Sequence, residues 1–376
     1  MESKPIRIGV VGVNFGAAVH VPAFQSEGLE VVAVCSRRQE RAAEAAQRFG
    51  IAHAFTDLDE MLRLDGLDAV SIVSPVALHH EQALAALAAG KHVICEKPFT
   101  TEAALAKEMW ERARSTGLTT MIAHEFRFAS GRMRAKELID EGYVGRLSLV
   151  LLRLLMGARP GSRSAEAAAI EGPPPYSVMR DSLDQGAGFL WSLGSHYIDC
   201  LRHWFGEVES VSGELVNSAP DRSKDGHIVQ ADADDTFLFT LHFAEGGYAQ
   251  MNASRGARFG SGATIEVYGS DGTIVTPQTG LNPPAHGKVL AARAGDDGLA
   301  EQPIPERLQP FADERDDRLM PFRLLVREFV RGIREGHRRR RTSTTAIAVS
   351  RSSTRSASRR PRAGGCRSTW LASAGA

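Results

Sequence analysis

The chain has 376 residues, 43% of them hydrophobic and 24% charged, a length that exceeds what one hydrophobic core usually spans and so predicts two domains. Its balance of 45 Lys+Arg against 45 Asp+Glu hides an asymmetry: residues 338–376 hold ten Arg and no acidic residue, which leaves residues 1–337 with 35 basic against 45 acidic groups. An acidic body argues against a nucleic-acid function, no apolar run approaches the roughly 20 residues of a membrane span, and the first residues lack the charged and apolar regions of a secretory signal.

Residues 1–123 alternate short apolar runs with Ala- and Glu-rich stretches. IRIGVV (6–11), EVVAVC (30–35), AVSIV (69–73), HVIC (92–95) and TTMIA (119–123) are nearly continuous in hydrophobicity. That pattern predicts strands of a parallel sheet covered on both faces. The stretches 37–49, 79–90 and 100–117 carry apolar residues at helical spacing and a Gly near the end. The expected fold is α/β, a doubly wound parallel sheet with right-handed crossovers.

From residue 124 the pattern changes. A helix at 132–142 precedes strand-like segments at 148–155, 208–216, 235–243, 247–255 and 263–270, the later ones separated by Gly-containing turns. Residues 124–337 therefore read as an α+β domain on a largely antiparallel open sheet, ending in the helix FRLLVREFVRGIREG (322–336). Residues 157–186, with three consecutive prolines, read as a lid or a disordered connection. The tail 338–376 lacks hydrophobic periodicity and is expected to be disordered; its abrupt change of composition fits a shifted reading frame.

Three local features carry chemistry. The turn Gly12-Val13-Asn14-Phe15-Gly16-Ala17 follows the first strand, where a dinucleotide-binding fold aims backbone N–H groups at a pyrophosphate. It is an imperfect glycine motif, with Asn14 able to stand in for Gly if left-handed and Ala17 taking the third, close-packing place. The second strand ends in Ser36-Arg37-Arg38 rather than a carboxylate, so nothing repels a 2′-phosphate and the expected cofactor is NADP(H), with NAD(H) as the alternative. Lys97, in CEKPF, lies just past a buried strand, where lost hydration suits it to general acid–base work; Glu96 can orient it and a cis Lys97–Pro98 bond is compatible. Cys35, Cys95, Cys200 and Cys366 are scattered without CxxC or zinc spacing, which points to buried thiols, a cytoplasmic protein and no metal site.

In these features the sequence resembles the Gfo/Idh/MocA (glucose–fructose oxidoreductase, inositol dehydrogenase, rhizopine catabolism) oxidoreductases over about residues 5–336. The resemblance rests on the glycine turn with His20-Val21-Pro22-Ala23, on residues 68–99 with Ser74-Pro75, His79 and the EKP triplet, on HEFRF (124–128), on GAGFLWSLGSHYIDCLRHWFG (186–206) and on EVYGSDGTI (266–274). It implies a Rossmann-type first domain, a second domain whose sheet forms homodimers or homotetramers, and hydride transfer at a secondary alcohol or ketone of a sugar, cyclitol or related polyol. Carried over residue by residue, Lys97 and His196 are the catalytic candidates. Gly12, Asn14, Phe15, Ser36, Arg37, Arg38, Ser74, Pro75, His79, Glu96 and Lys97 are the cofactor candidates, and Lys97, Arg127, Ser192, His196 and Asp199 the substrate candidates.

Two positions depart from the family pattern. Ser192 replaces an Asp four residues before His196, which at helical spacing faces the histidine and reassigns its proton partner to Asp199, Asp184 or Tyr176. Val76 replaces an Asn, which removes one cofactor contact. Two other functions share the fold: a non-catalytic nicotinamide-sensing regulator, and a glycoside hydrolase assisted by a bound nicotinamide.

Overall fold

The computed structural model describes residues 4–156, 186–218, 221–224, 227–257, 259–278 and 287–336, in two compact units. The expected disorder of the tail, the lid at 157–185, and the candidates Asp184 and Tyr176 lie outside the described residues.

The first unit comprises residues 4–128 and 311–336. Its six strands are β1 (Arg7–Val11), β2 (Glu30–Cys35), β3 (His53–Phe55), β4 (Ala69–Ile72), β5 (His92–Cys95) and β6 (Thr120–Ile122). They pair in parallel in the order β3-β2-β1-β4-β5-β6, the dinucleotide-binding order that reverses direction between β1 and β4. Both faces are covered, as continuous apolar strands require: Ile8, Val10 and Ile94 pack into one core layer, Val70, Ile72 and Cys95 into the other. β3 was not foreseen, because His53-Ala54-Phe55 is too short and too mixed to show a period.

One expectation is corrected. The last helix, Leu319–Glu335, belongs to the first unit rather than the second. Its stripe of Phe322, Leu325, Val326 and Phe329 joins the core layer of Ile8 and Val10. Helical spacing shows that such a stripe must be buried; it does not say against which sheet. The turn Glu125–Phe128 also stays with this unit, moving the boundary from residue 123 to 128.

The second unit, Ala129–Pro310, opens with a helix at Ser130–Asp140. Its strands are β7 (Leu147–Leu155), β8 (Val208–Val216), β9 (Asp221–Lys224), β10 (His227–Gln230), β11 (Thr236–Phe243), β12 (Tyr248–Ser254), β13 (Gly262–Gly269), β14 (Gly272–Gln278), β15 (Leu290–Arg293) and β16 (Ala300–Glu301). Eight form one sheet, β16-β15-β14-β13-β7-β12-β11-β8, antiparallel except at β7–β12, while β9 and β10 make a separate hairpin. Alternation sets the faces: Phe237, Phe239, Leu241 and Phe243 of β11 are buried together with Val150, Leu152 and Leu154 of β7. The five foreseen strands form the middle and one edge of this sheet. β15 and β16, short and flanked by Gly and charged residues, extend the other edge.

Cys35 and Cys95 are buried free thiols, and Cys200 is fully buried. Burial, aided by nearby Asp57, pushes the Cys35 thiol up to about 11. Among the described residues no helix is long and apolar enough to cross a membrane, and no group of His, Cys, Asp and Glu is gathered as a metal site.

Candidate functional site

The ends of β1, β2, β4 and β5 gather most of the candidates of the first unit. Gly12 leaves β1 with φ +98°, and its N–H donates to the Cys35 carbonyl at 2.9 Å. A Cβ there would lie 2.4 Å from the Val73 carbonyl oxygen, so only glycine fits where the backbone bends past β4. Asn14 is not a left-handed stand-in for glycine: Phe259 is the only non-glycine residue with positive φ among the described residues, and Asn14 is exposed, its carbonyl accepting the Ala18 N–H at 3.2 Å. The close-packing place belongs to Gly16 rather than Ala17, since a Cβ on Gly16 would come within 2.9 Å of Val10 Cγ1. The cause is a wide π-helical turn over Gly16–His20, in which the Val21 N–H reaches back to the Gly16 carbonyl. That extra residue displaces the register expected of an ordinary helix start. The Phe15 ring is edge-on to His20 and lies under the Arg318 guanidinium, 5.0 Å from its centroid.

At the end of β2 the Ser36 N–H donates to the Phe55 carbonyl at 3.0 Å, and the Ser36 hydroxyl accepts the Arg38 N–H at 3.4 Å. Arg37 and Arg38 are exposed, and their guanidiniums have no hydrogen-bond or ion-pair partner among the described residues. The Asp57 carboxylate, at the end of neighbouring β3, caps the next helix through the Glu60 N–H at 3.0 Å.

A buried polar network underlies the lysine. His20 is fully buried; its Nδ1 is 2.8 Å from Ser71 Oγ and its Nε2 is 3.0 Å from Glu96 Oε1. Glu96 Oε2 accepts the backbone N–H of Lys97 at 3.1 Å, and the Lys97–Pro98 bond is cis. Burial pushes the Glu96 carboxyl up. The His20 hydrogen bond and the charges of His20, Lys97 and His79 together outweigh that, holding it below the usual carboxylate range. Lys97 itself is half-buried. His79 joins the two loops beside it, with Nε2 2.9 Å from the Ser74 carbonyl and Nδ1 3.1 Å from the Pro98 carbonyl; burial holds its pKa below the ordinary histidine value. Ser74 donates to Gln82 Oε1 at 2.6 Å, Pro75 precedes a short 3₁₀ turn, and Val76 is buried as an apolar plug.

Glu125 was not foreseen. It is buried in the turn after β6, and burial together with the neighbouring Glu96 charge raises it to about 8, against the opposing charges of Lys97 and Arg318. Its only sequence signal is a carboxylate directly after the apolar run of β6. Arg127, the residue of HEFRF that was foreseen, lies half-buried in the same turn.

In the second unit, His196 and Asp199 are buried on the helix Ser195–Phe205, which a π-helical turn at Leu190–Gly194 precedes. The Ser192 hydroxyl accepts from Arg255 Nη2 at 3.1 Å, and the Arg255 guanidinium stacks over Phe189, 4.8 Å from the ring centroid. Asp234 anchors the start of the turn by accepting the Leu190 N–H at 2.8 Å, and burial raises its carboxyl to about 6. Neither Asp234 nor Arg255 stood out from the sequence, because β-strand termini contribute them from far along the chain.

A doubly wound sheet with a glycine bend at its switch point and a lysine on the same edge defines a dinucleotide-binding oxidoreductase class. Family models agree: residues 6–124 match the oxidoreductase family with NAD-binding Rossmann fold, and residues 133–275 match the GFO/IDH/MocA C-terminal domain. The chain belongs to the Gfo/Idh/MocA oxidoreductase family. An uncharacterised oxidoreductase of Synechocystis sp. is 30% identical over 92% of this chain and 90% of its own length. Levoglucosan dehydrogenase of Pseudarthrobacter phenanthrenivorans is 28% identical over 72% of this chain and 73% of its own. Among solved structures, levoglucosan dehydrogenase in complex with NADH and L-sorbose superposes with TM-score 0.79 at 24% identity, covering 95% of this chain and 97% of the other, which is a likeness of fold.

Proposed function

We propose that this enzyme transfers a hydride between nicotinamide C4 and a secondary alcohol or ketone of a sugar, cyclitol or related polyol, with Lys97 as general acid/base. The observation that carries this reading is Lys97 beside an ionised, buried Glu96, on the sheet edge that also holds the Gly12 bend. The sugar class rests on the relatives, one of which is a levoglucosan dehydrogenase.

The residues present fit a dinucleotide: a Cβ at Gly12 would fill the bend, and Arg37 and Arg38 offer two exposed guanidiniums. When bound, the nicotinamide supplies a two-electron hydride acceptor or donor. The backbone of Gly12, Asn14 and Phe15 would hold the pyrophosphate, and Ser36, Arg37 and Arg38 the adenosine 2′-phosphate, favouring NADP(H) over NAD(H). Ser74, Pro75, His79, Glu96 and Lys97 would shape the nicotinamide end. In oxidation the Lys97 amine takes the hydroxyl proton as the carbinol hydrogen leaves as hydride, and a ketone forms; in reduction the ammonium returns that proton. His196 would hydrogen-bond the reacting oxygen, and Asp199, Ser192 and Arg127 would orient the substrate.

The open face of the eight-stranded sheet, where Leu238 and Tyr248 are 42% and 48% exposed, suits a homodimer or homotetramer contact. The buried free thiols of Cys35 and Cys95 suit the reducing cytoplasm. The test is NADPH oxidation and NADP⁺ reduction with a panel of sugars, keto-sugars and cyclitols, in the wild type and in Lys97→Ala. Lys97-dependent turnover is expected. Cofactor binding without any such turnover overturns the enzymatic reading in favour of a nicotinamide-sensing regulator.

A further inference from the structure

A buried polar cluster lies in the core under Lys97. His20 closes the turn after the glycine bend, Ser71 sits within β4 and Glu96 directly follows β5, so three separate segments of the chain meet at one imidazole. The ring is fully buried, with Phe322 at 4.2 Å and Phe24 at 5.8 Å between ring centroids, which leaves it little freedom to swing away. Because a hydroxyl both donates and accepts, Ser71 satisfies Nδ1 in either protonation state, and in both states Nε2–H remains available to Glu96. Glu96 in turn spends its second oxygen on the Lys97 backbone N–H.

We infer that His20 is a positioning residue for the proposed reaction: its Nε2–H holds the Glu96 carboxylate ionised and aimed, and Glu96 fixes Lys97. The inference rests on the reading of Lys97 given above. A buried carboxyl with no donor tends to take up a proton, and a neutral Glu96 would lose its attraction for the ammonium form of Lys97. The other groups within electrostatic reach of Glu96 are Lys97, His79, Glu125 and Cys95, from the turns after β5, β4 and β6 and from β5 itself. The charges of Lys97 and His79 favour the ionised form of Glu96 alongside His20, and His20 adds the side-chain hydrogen bond.

The test compares His20→Phe, which keeps a ring against Phe322 but has no donor, with His20→Gln, which keeps an amide donor near the Nε2 position. Protein labelled with ¹³C at the glutamate carboxyl, assigned through Glu96→Gln, reports the ionisation of Glu96 directly. His20→Phe is expected to raise the Glu96 midpoint by about one pH unit or more, about a tenfold change in the ratio of ionised to neutral forms. His20→Gln is expected to stay nearer the wild type, and the acid limb of kcat/KM for Lys97-dependent turnover is expected to move with the same order. A folded His20→Phe protein with an unmoved Glu96 midpoint or an unmoved acid limb overturns the inference. Should His20→Phe fail to fold, a His20→Gln protein whose midpoint shifts by a full unit overturns it equally, since the retained donor would then be irrelevant. Turnover that persists in Lys97→Ala would instead refute the assignment of Lys97, while the carboxyl titration would still decide whether His20 controls Glu96.

Discussion

Replacing Gly12 by Ala separates a cofactor cradle from an ordinary tight turn. The new methyl carbon would sit 2.4 Å from the Val73 carbonyl oxygen and 2.7 Å from its carbon, on a backbone with φ +98°. Holding an L-residue in that conformation costs about 1–3 kcal/mol, and rigid backbone cannot yield as a side chain would. Relief therefore requires the bend after β1 to move away from β4 by roughly 1 Å, a displacement on the order of that which costs enzymes a hundredfold when it misplaces a bound group. Gly16→Ala is the comparison for packing strain alone, because its methyl would meet the buried Val10 side chain at 2.9 Å, on a backbone without positive φ and clear of the Val73 carbonyl. Titration of NADPH fluorescence should show Gly12→Ala binding at least about tenfold more weakly than Gly16→Ala, with the melting temperature of both read in parallel. Equal affinities in two folded proteins would refute the idea that this bend receives the pyrophosphate.

Arg37→Ala with Arg38→Ala should erase a preference for NADPH over NADH, weakening NADPH by about 10–100-fold on the scale of one or two charge-assisted contacts while leaving NADH nearly unchanged; a loss that is equal for both cofactors would contradict the 2′-phosphate assignment. Glu125 has a folded-state pKa of about 8, above its ordinary value of 4.5, so the native state binds more protons there than the unfolded chain and wild-type stability falls as pH rises between those values. Glu125→Gln removes that dependence, and urea unfolding should show the variant gaining stability relative to wild type from pH 5 to pH 8 (chosen as roughly the ends of that window); a difference independent of pH would show that Glu125 is ionised in the folded protein. Phe322→Ala, at a fully buried position, should cost about 3–5 kcal/mol and speed hydrogen exchange in β1 and the helix Val21–Ser26. Loosening of β11–β13 to the same extent would contradict the membership of the last helix in the first unit.

Much of the first unit was legible in the chain because its signals are local. IRIGVV and EVVAVC declare strands buried on both faces, and a helix must separate parallel neighbours. Lys97 announced itself in the same way, through its place immediately after HVIC. Where local pattern misled, a tertiary contact was the reason. The residue that must be small beside β1 is Gly16 because a wide turn displaced the register, and no propensity distinguishes that turn from an ordinary helix start. The helix at 322–336 reads as the end of the second domain, because its spacing does not say against which sheet Phe322, Leu325, Val326 and Phe329 pack.

The amino-acid order alone determined the alternation of strands and helices, the glycine bend, the lysine after β5 and the change to an antiparallel sheet, since each depends on side-chain periodicity over a few residues. Only the folded chain decided which groups meet: His20 with Ser71 and Glu96, Glu125 raised beside that carboxylate, and Arg255 on Ser192, at separations of 51, 76 and 63 residues for the hydrogen bonds. Charge and protonation in a buried site are set by distances between segments remote in sequence, and a one-dimensional pattern does not encode those distances.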